Sequence, residues 1–211
     1  AVLAVDELGT EGRIAGLRAS PPTARHEQAG QQHGMDGVPH VRVVEDRDGN
    51  CPPISGESGG SEADDGTTES GAAHVFVRTG TTRTQQAYVK ASNTGFADDF
   101  GFSIALDGDR LLVGAFNQDR PATGLDGDET IHSLATAGAA YVFGRVGTAW
   151  SQLHYVIASN TGLQDRFSYH FDLGNATVVV GSYPEDSEGV GVGGNQANDL
   201  ASDSGAVDVL R

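Results

Sequence analysis

Ser70-Gly71-Ala72-Ala73-His74-Val75-Phe76 returns as Ala137-Gly138-Ala139-Ala140-Tyr141-Val142-Phe143 and again as Ser204-Gly205-Ala206-Val207-Asp208-Val209-Leu210, the glycines standing 67 residues apart. A period of this length takes precedence over local motifs, because each repeat buries its apolar face only against its neighbours. The period extends outward. Ala91-Ser92-Asn93-Thr94-Gly95 recurs from Ala158, Tyr88 matches Tyr155, Phe100 matches Phe167, and Val113-Gly114 matches Val180-Gly181.

An eroded earlier copy precedes these. Ala1–Val5 reads as its opening strand, Gly9-Thr10 as the turn answering Gly80-Thr81, Leu17-Arg18-Ala19-Ser20 as the counterpart of Val89-Lys90-Ala91-Ser92, and His33-Gly34-Met35 falls one period before Phe100-Gly101-Phe102. Pro21, Pro22 and Pro39 would interrupt central strand pairing there. The chain therefore divides into a degenerate first repeat at 1–71, a second at 72–138, a third at 139–205, and at 206–211 the opening strand of a further blade.

Each clear unit holds four strand-like runs. Ala72–Arg78 alternates around Val75 and Val77, Thr79-Gly80-Thr81-Thr82 supplies a turn, and Gln85–Ala91 returns. Phe100–Leu106 and Arg110–Phe116 form a second hairpin closed by Asp107-Gly108, a pair suited to a type I′ turn, with Gly174-Asn175 in that place one period on. No apolar spacing of i, i+3, i+4, i+7 is sustained, so little helix is expected. Four antiparallel strands per repeat describe an all-β fold of propeller-type blades, about three units plus an extra terminal strand.

Phe100-Gly101-Phe102-Ser103-Ile104-Ala105, then Leu111-Leu112-Val113-Gly114-Ala115, then Gly138-Ala139-Ala140-Tyr141-Val142-Phe143 resembles the FG-GAP repeat of integrin α-subunit β-propellers and bacterial surface proteins. The likeness covers about 72–211. It loosens in the last copy, where Phe167-Ser168 replaces Phe-Gly and Gly181-Ser182-Tyr183-Pro184 replaces Gly-Ala-Pro. The resemblance implies an extracellular or cell-surface setting, an adhesion or binding role, and calcium held in a D-x-D-x-D-G-x-x-D loop between the Phe-Gly and Val-Gly strands. Here that loop is reduced to Asp107-Gly108-Asp109 and Gly174-Asn175-Ala176, too few oxygens for a cation that takes six to eight. The family's calcium site is not carried over. The resemblance also places Phe76/Phe143, Tyr88/Tyr155 and Phe100/Phe167 between adjacent blades, with the repeated Gly and Ala residues where backbones converge.

Composition narrows the partners. The 211 residues carry 13 Lys+Arg against 29 Asp+Glu, a formal charge of −16. So anionic a surface repels phosphate backbones, which excludes nucleic acid as the expected partner. No apolar run is long enough to span a membrane as a helix, so insertion is not expected either. An export signal, on this reading, is no part of the chain. Cys51 is the single cysteine, a loop thiol or the half of an interchain disulfide.

Acidity collects in long loops at about 46–70, 117–137 and 184–204. Asp119, Asp126 and Asp128 stand in the second of these, and Asp186, Asn195 and Asp199 in the third, with Asp119 aligned on Asp186 and Asp128 on Asn195. Such loops read as solvated and self-repelling, or as calcium clips in which these six residues are the ligands. Other chemistry is thin. Gly56-Glu57-Ser58-Gly59-Gly60 fits G-x-S-x-G without the strand and helix of a nucleophile elbow, and the seven histidines show no metal spacing. His74 aligns with Tyr141 and Asp208 as a tolerant strand position, Asp98 matches Asp165 as a turn-ordering residue, and Asn175-Ala176-Thr177 is a sequon on a hairpin tip. The expected function is a non-catalytic extracellular binding or adhesion module for a protein or glycan. The alternatives are a structural subunit that self-associates through its terminal strand, and the propeller segment of a hydrolase.

Overall fold

The computed structural model describes residues 39–42, 66–119, 123–128, 135–175 and 177–211, and of 39–42 only the course of the backbone. The strands and turns expected at Ala1–Val5, Gly9-Thr10 and Leu17–Ser20, the His33–Met35 match, Cys51 and the Gly56–Gly60 loop lie outside these residues. Eleven strands and no helix are found among the described residues: β1 Pro39–Arg42, β2 Ala73–Thr79, β3 Thr82–Val89, β4 Ile104–Asp107, β5 Arg110–Ala115, β6 Gly124–Leu125, β7 Ala139–Val146, β8 Ala149–Ile157, β9 His170–Gly174, β10 Thr177–Ser182 and β11 Ala206–Leu210. They form three antiparallel sheets, ordered β1-β2-β3, β4-β5-β7-β8-β6 and β9-β10-β11. The fold is all-β, and the sheets are of the propeller-blade kind.

Sheets and sequence period are out of phase. The hairpin β4-β5 closes the 72–138 unit, yet β5 pairs with β7 of the next, from Arg110 opposite Gly144 to Ala115 opposite Ala139. One period later Val178 faces Leu210 and Ser182 faces Ala206 in the same register. The loop after β5 leads the chain back to the end it left, so the next Gly-Ala-Ala strand pairs with the free edge of β5. The terminal strand β11 accordingly lies as the third strand of its own sheet rather than opening another. β1 holds the matching place beside β2, but Pro39 rather than residue 43 faces Val77, a four-residue departure from the strict period.

The hairpin tips follow from backbone chirality. Asp107 pairs with Arg110, so the turn is Gly108-Asp109, one position on from the pair expected. Gly80, Gly108 and Gly147 have φ of 61°, 58° and 65° while Thr81, Asp109 and Thr148 do not take positive φ, the pattern of type II′ rather than I′ turns. Gly174 pairs with Thr177 and is a strand residue, leaving Asn175, φ 50°, to open that turn.

Two apolar layers join the three sheets. Ala73, Val75 and Ala87 of the first sheet cluster with Phe100, Leu111, Val113, Tyr141, Phe143 and Tyr155. Leu112, Ala140 and Val156 of the middle sheet cluster with Phe167, Leu173 and Val180. The aromatics expected between blades are there, Phe100, Phe167 and Tyr155 each 1% exposed, although Phe76 is only half-buried. Trp150 adds a cross-sheet bond, its Nε1 donating to Gln86 Oε1 at 2.9 Å.

Candidate functional site

Strand register gives the molecule two unlike ends. At one, β2-β3, β4-β5, β7-β8 and β9-β10 close in two-residue turns. At the other, among the connections that follow β2, lie the longer ones: 90–103 and 158–169 within units, 116–138 and 183–205 between them. Loops set on a rigid sheet scaffold are where binding residues concentrate.

A repeated clamp builds this loop end. Thr94 Oγ1 donates to the Ala91 carbonyl and Thr161 Oγ1 to that of Ala158, while Asp98 Oδ2 accepts from the Gly95 amide at 2.7 Å and Asp165 Oδ2 from Gly162 at 2.6 Å. Asp98 and Asp165 are thus the turn-ordering residues the sequence suggests. The ordered turn presents the amides of Ala97, Asp99 and Phe100 to the carbonyls of Thr68, Glu69 and Ser70, and those of Gln164, Arg166 and Phe167 to Ala135, Thr136 and Ala137. Gly71 and Gly138 follow these carbonyls at φ 76° and 82°. A Cβ would stand 2.0 Å from the Phe100 oxygen at the first and 2.2 Å from the Phe167 oxygen at the second, which is why glycine recurs there. Lys90 locks the first clamp, its Nζ donating to Ser70 Oγ and the Gly71 carbonyl, both at 2.7 Å.

Three of the six acidic-loop residues, Asp119, Asp186 and Asn195, accept hydrogen bonds from loop backbone. Asp119 Oδ1 accepts from the Thr136 amide at 2.6 Å, and Asp186 Oδ1 from the Asp203 amide at 2.7 Å, so one carboxylate in each loop ties its start to its end. Asn195 Oδ1 accepts from Ala197, and Asn198 Oδ1 from Glu188. Asp126 accepts from the Tyr155 amide at 3.0 Å and lies 2.9 Å from His154 Nδ1. The histidine bond and then the amide hold its carboxyl below the usual value. Asp128 stands on the loop beyond β6, and Asp199 is exposed. Among the described residues no three His, Cys, Asp or Glu side chains are arranged to hold a metal ion. The family's calcium loop does not fit the β4-β5 turn either, where Asp109 pairs with Arg145 and Asp107 Oδ2 accepts from the Asn175 amide.

The third unit departs from the second in its buried polar groups. Gln118 and Asn93 of the second unit accept from tyrosines of the third, Tyr155 Oη donating to Gln118 Oε1 at 2.7 Å and Tyr141 Oη to Asn93 Oδ1 at 2.5 Å. One period on, Glu185 stands in place of Gln118 and Asp208 in place of Tyr141. Glu185, 2% exposed, accepts from Asn160 Nδ2 at 2.7 Å and from the Ser187 amide and hydroxyl. Burial pushes Asp165 up to about 6 against the Gly162 bond, with the charges of Glu185, Asp186 and Asp199 adding to it. Burial, then Glu185, also raises Asp208. His74, at the same repeat position as Asp208, is buried, its Nδ1 3.4 Å from Gln85 Oε1.

An aromatic ladder at the loop end was missed by sequence reasoning. Phe102 lies 4.3 Å from Phe116 and 5.1 Å from Tyr169, and Tyr169 lies 5.6 Å from Tyr183, ring centre to ring centre. Tyr169 and Tyr183 are the repeat equivalents of Phe102 and Phe116, so the signal was present as two further aromatic matches at the same period. The ladder ends in Tyr183, 59% exposed.

Residues 83–143, from β3 through the clamp and β5 into β7, match the FG-GAP repeat. No curated protein matches the chain. The match spans Phe100-Gly101, Val113-Gly114 and Gly138–Phe143, the blocks that form the clamp and the β5-β7 pairing, so this stretch of the chain is similar to an FG-GAP repeat.

Proposed function

We propose that the chain is a non-catalytic binding module of an extracellular or cell-surface protein, meeting a protein or glycan through the loop end of its sheets. One observation carries this reading: the long polar loops and the aromatic ladder emerge together from one end, while the other end is closed by tight turns. An exposed tyrosine on a rigid stack offers a flat apolar surface with a hydroxyl, suited to a sugar face or a peptide side chain. Asp186, Glu188, Asp199 and Asp203, carried by the same 183–205 loop as Tyr183, favour a partner with cationic or hydroxyl-rich groups. FG-GAP repeats typically belong to extracellular proteins, which supports the setting, and no helix among the described residues is long and apolar enough to cross a membrane.

The test is binding of the labelled chain to a glycan array and to immobilised extracellular-matrix proteins. Tyr183→Ala is expected to weaken a saturable signal by about tenfold or more, and Val146→Ser, 84% exposed beside a hairpin tip, to leave it unchanged. A saturable signal indifferent to Tyr183→Ala and to Glu188→Lys, or no saturable signal on either surface, overturns the reading.

A further inference from the structure

We propose that Arg166 is the carboxylate-recognising residue of the loop end, and that the partner there is a glycan carrying a hexuronic acid among neutral sugars. The inference deepens the binding role proposed above and rests on it. Arg166 is half-buried, its guanidinium carbon lies 6.0 Å from the centre of the Phe116 ring, and its Nε is wholly buried without a hydrogen-bond partner. Among the described residues no carboxylate pairs with it. A buried charged donor left without an acceptor is costly, so an arriving carboxylate gains more there than at a solvated arginine.

The repeat explains why this group lacks a partner. In the second unit Asn117 Nδ2 donates to Asp99 Oδ2 at 2.6 Å. One period on, Arg166 stands in place of Asp99 and Pro184 in place of Asn117, and a proline side chain accepts nothing. The guanidinium lies instead over Phe116 of the preceding unit. Backbone bonds fix its base: the Arg166 amide donates to the Thr136 carbonyl and the Tyr169 amide to the Arg166 carbonyl, both at 3.1 Å. The Thr136 hydroxyl is buried without a partner as well.

The choice of ligand follows from what surrounds the guanidinium. Its planar fork takes a carboxylate through two parallel N–H bonds, and its neighbours are rings. Tyr169, held to Arg166 by that turn, lies 5.3 Å from Phe116 and 5.1 Å from Phe102, centre to centre. A hexuronic acid carries its carboxylate directly on a pyranose whose C–H face stacks on such rings. The charge of this end argues against a polyanion. Lys90 and Arg166 are the only Lys or Arg among the described residues of the four loop-end connections, where Asp and Glu outnumber them, and Lys90 is engaged by Ser70 and Gly71. One carboxylate set among hydroxyls, which acidic side chains accept from, meets both conditions. An acidic protein surface would meet the same repulsion with fewer hydroxyls to offset it.

The test is titration of the isotope-labelled full chain at constant ionic strength, following arginine Nε–H resonances by NMR. The probes are glucuronic and galacturonic acids, their neutral counterparts glucose and galactose, and N-acetylglutamate. The uronic acids are expected to shift the Arg166 resonance saturably and to bind at least about tenfold more tightly than the neutral sugars. Arg166→Gln should abolish that preference and Arg166→Lys, which keeps the charge and the stem over Phe116 but not the fork, should restore part of it. Tyr183→Ala should weaken acidic and neutral sugars alike. Circular dichroism identifies a variant that has not folded, and the comparison of probes on the unaltered chain needs no variant. Acidic and neutral sugars bound equally, or a preference that folded Arg166→Gln retains, overturn the assignment of Arg166, while a loss with Tyr183→Ala leaves the binding role of the loop end standing. N-acetylglutamate bound as tightly as the uronic acids overturns the glycan in favour of a protein carboxylate. No shift of the Arg166 resonance with any probe overturns the proposal, and the glycan array and matrix proteins then decide the role of the loop end separately.

Discussion

At Gly138 the backbone carries φ 82° and a Cβ would lie 2.2 Å from the Phe167 carbonyl oxygen, so Gly138→Ala meets steric strain and a backbone clash together. Gly80 has φ 61° but nothing within 4 Å of a Cβ, which isolates the conformational cost alone. Urea denaturation should show Gly80→Ala losing about 1 kcal/mol and Gly138→Ala at least about 2 kcal/mol more. Equal losses would mean that the clamp relaxes freely. Asp165 makes a second residue-scale prediction. Its carboxyl is pushed up to about 6, chiefly by burial, from a model-peptide value of 3.8. The folded chain therefore binds more protons than the unfolded chain between these values. The stability this confers is full below the unfolded value and lost as pH rises through about 6. The chain should resist urea better at pH 5 than at pH 7.5, by on the order of 1 kcal/mol from this group once solvent screening is allowed for. Asp165→Asn, which keeps an acceptor for the Gly162 amide, should flatten that difference. A difference unchanged in the variant would assign it to other carboxylates.

The repeated element is a loop tied by one carboxylate, and its strength can be read from the loop itself. Asp186 reaches the Asp203 amide across 183–205, and Asp186→Ala removes the carboxylate that accepts from that amide. Loss of about 1 kcal/mol is expected, with faster amide exchange confined to 183–205. Exchange unchanged in that loop would show the carboxylate to be redundant. The same occupancy bears on calcium, the alternative the acidic loops raise. Carboxylates engaged with amides would have to exchange those bonds for a cation. Adding calcium at millimolar level, against chelator, should therefore shift the thermal midpoint by less than about 1 °C. A rise of several degrees would restore the calcium clip. The element scale also shows what the sequence made legible. Gly71, Gly138 and Gly205 gave the period, and Phe100 and Phe167 the inter-sheet packing, because a residue type repeated at one offset reports one repeated environment. The turn at Thr79–Thr82 fell where expected, while those of β4-β5 and β9-β10 came out one position early, because Asp-Gly names a reversal but not which residue takes positive φ. The aromatic ladder went unread because Phe102 against Tyr169 and Phe116 against Tyr183 are matches of kind rather than identity.

Across the whole molecule, the period fixes how many hairpins there are but not which of them share a sheet. Pairing of β5 with β7 depends on a loop of some twenty residues returning the chain to its own end, and nothing local in Phe116–Ala137 encodes that return. The consequence is a stack in which each sheet draws its stability from its neighbours, as in repeat proteins whose units are coupled chiefly to the next. The middle sheet is covered on both faces, with Leu111, Leu112, Val113, Ala139, Ala140 and Tyr141 all fully buried. Among the described residues the third is covered on one face only, through Phe167, Leu173 and Val180, and shows Val179, Val207 and Val209 on the other. Opening should therefore begin at the third sheet and spread inward. Hydrogen exchange followed by mass spectrometry is expected to protect β5 and β7 by at least about tenfold more than β10 and β11. Leu112→Ala, at the interface between the two sheets, should lower overall stability by about 2–5 kcal/mol. It should also widen that gap, because it loosens the hold of the middle sheet on the third. Uniform protection across all four strands, with Leu112→Ala lowering every strand alike, would show instead that the sheets open as one cooperative unit and that coupling outweighs the uneven burial.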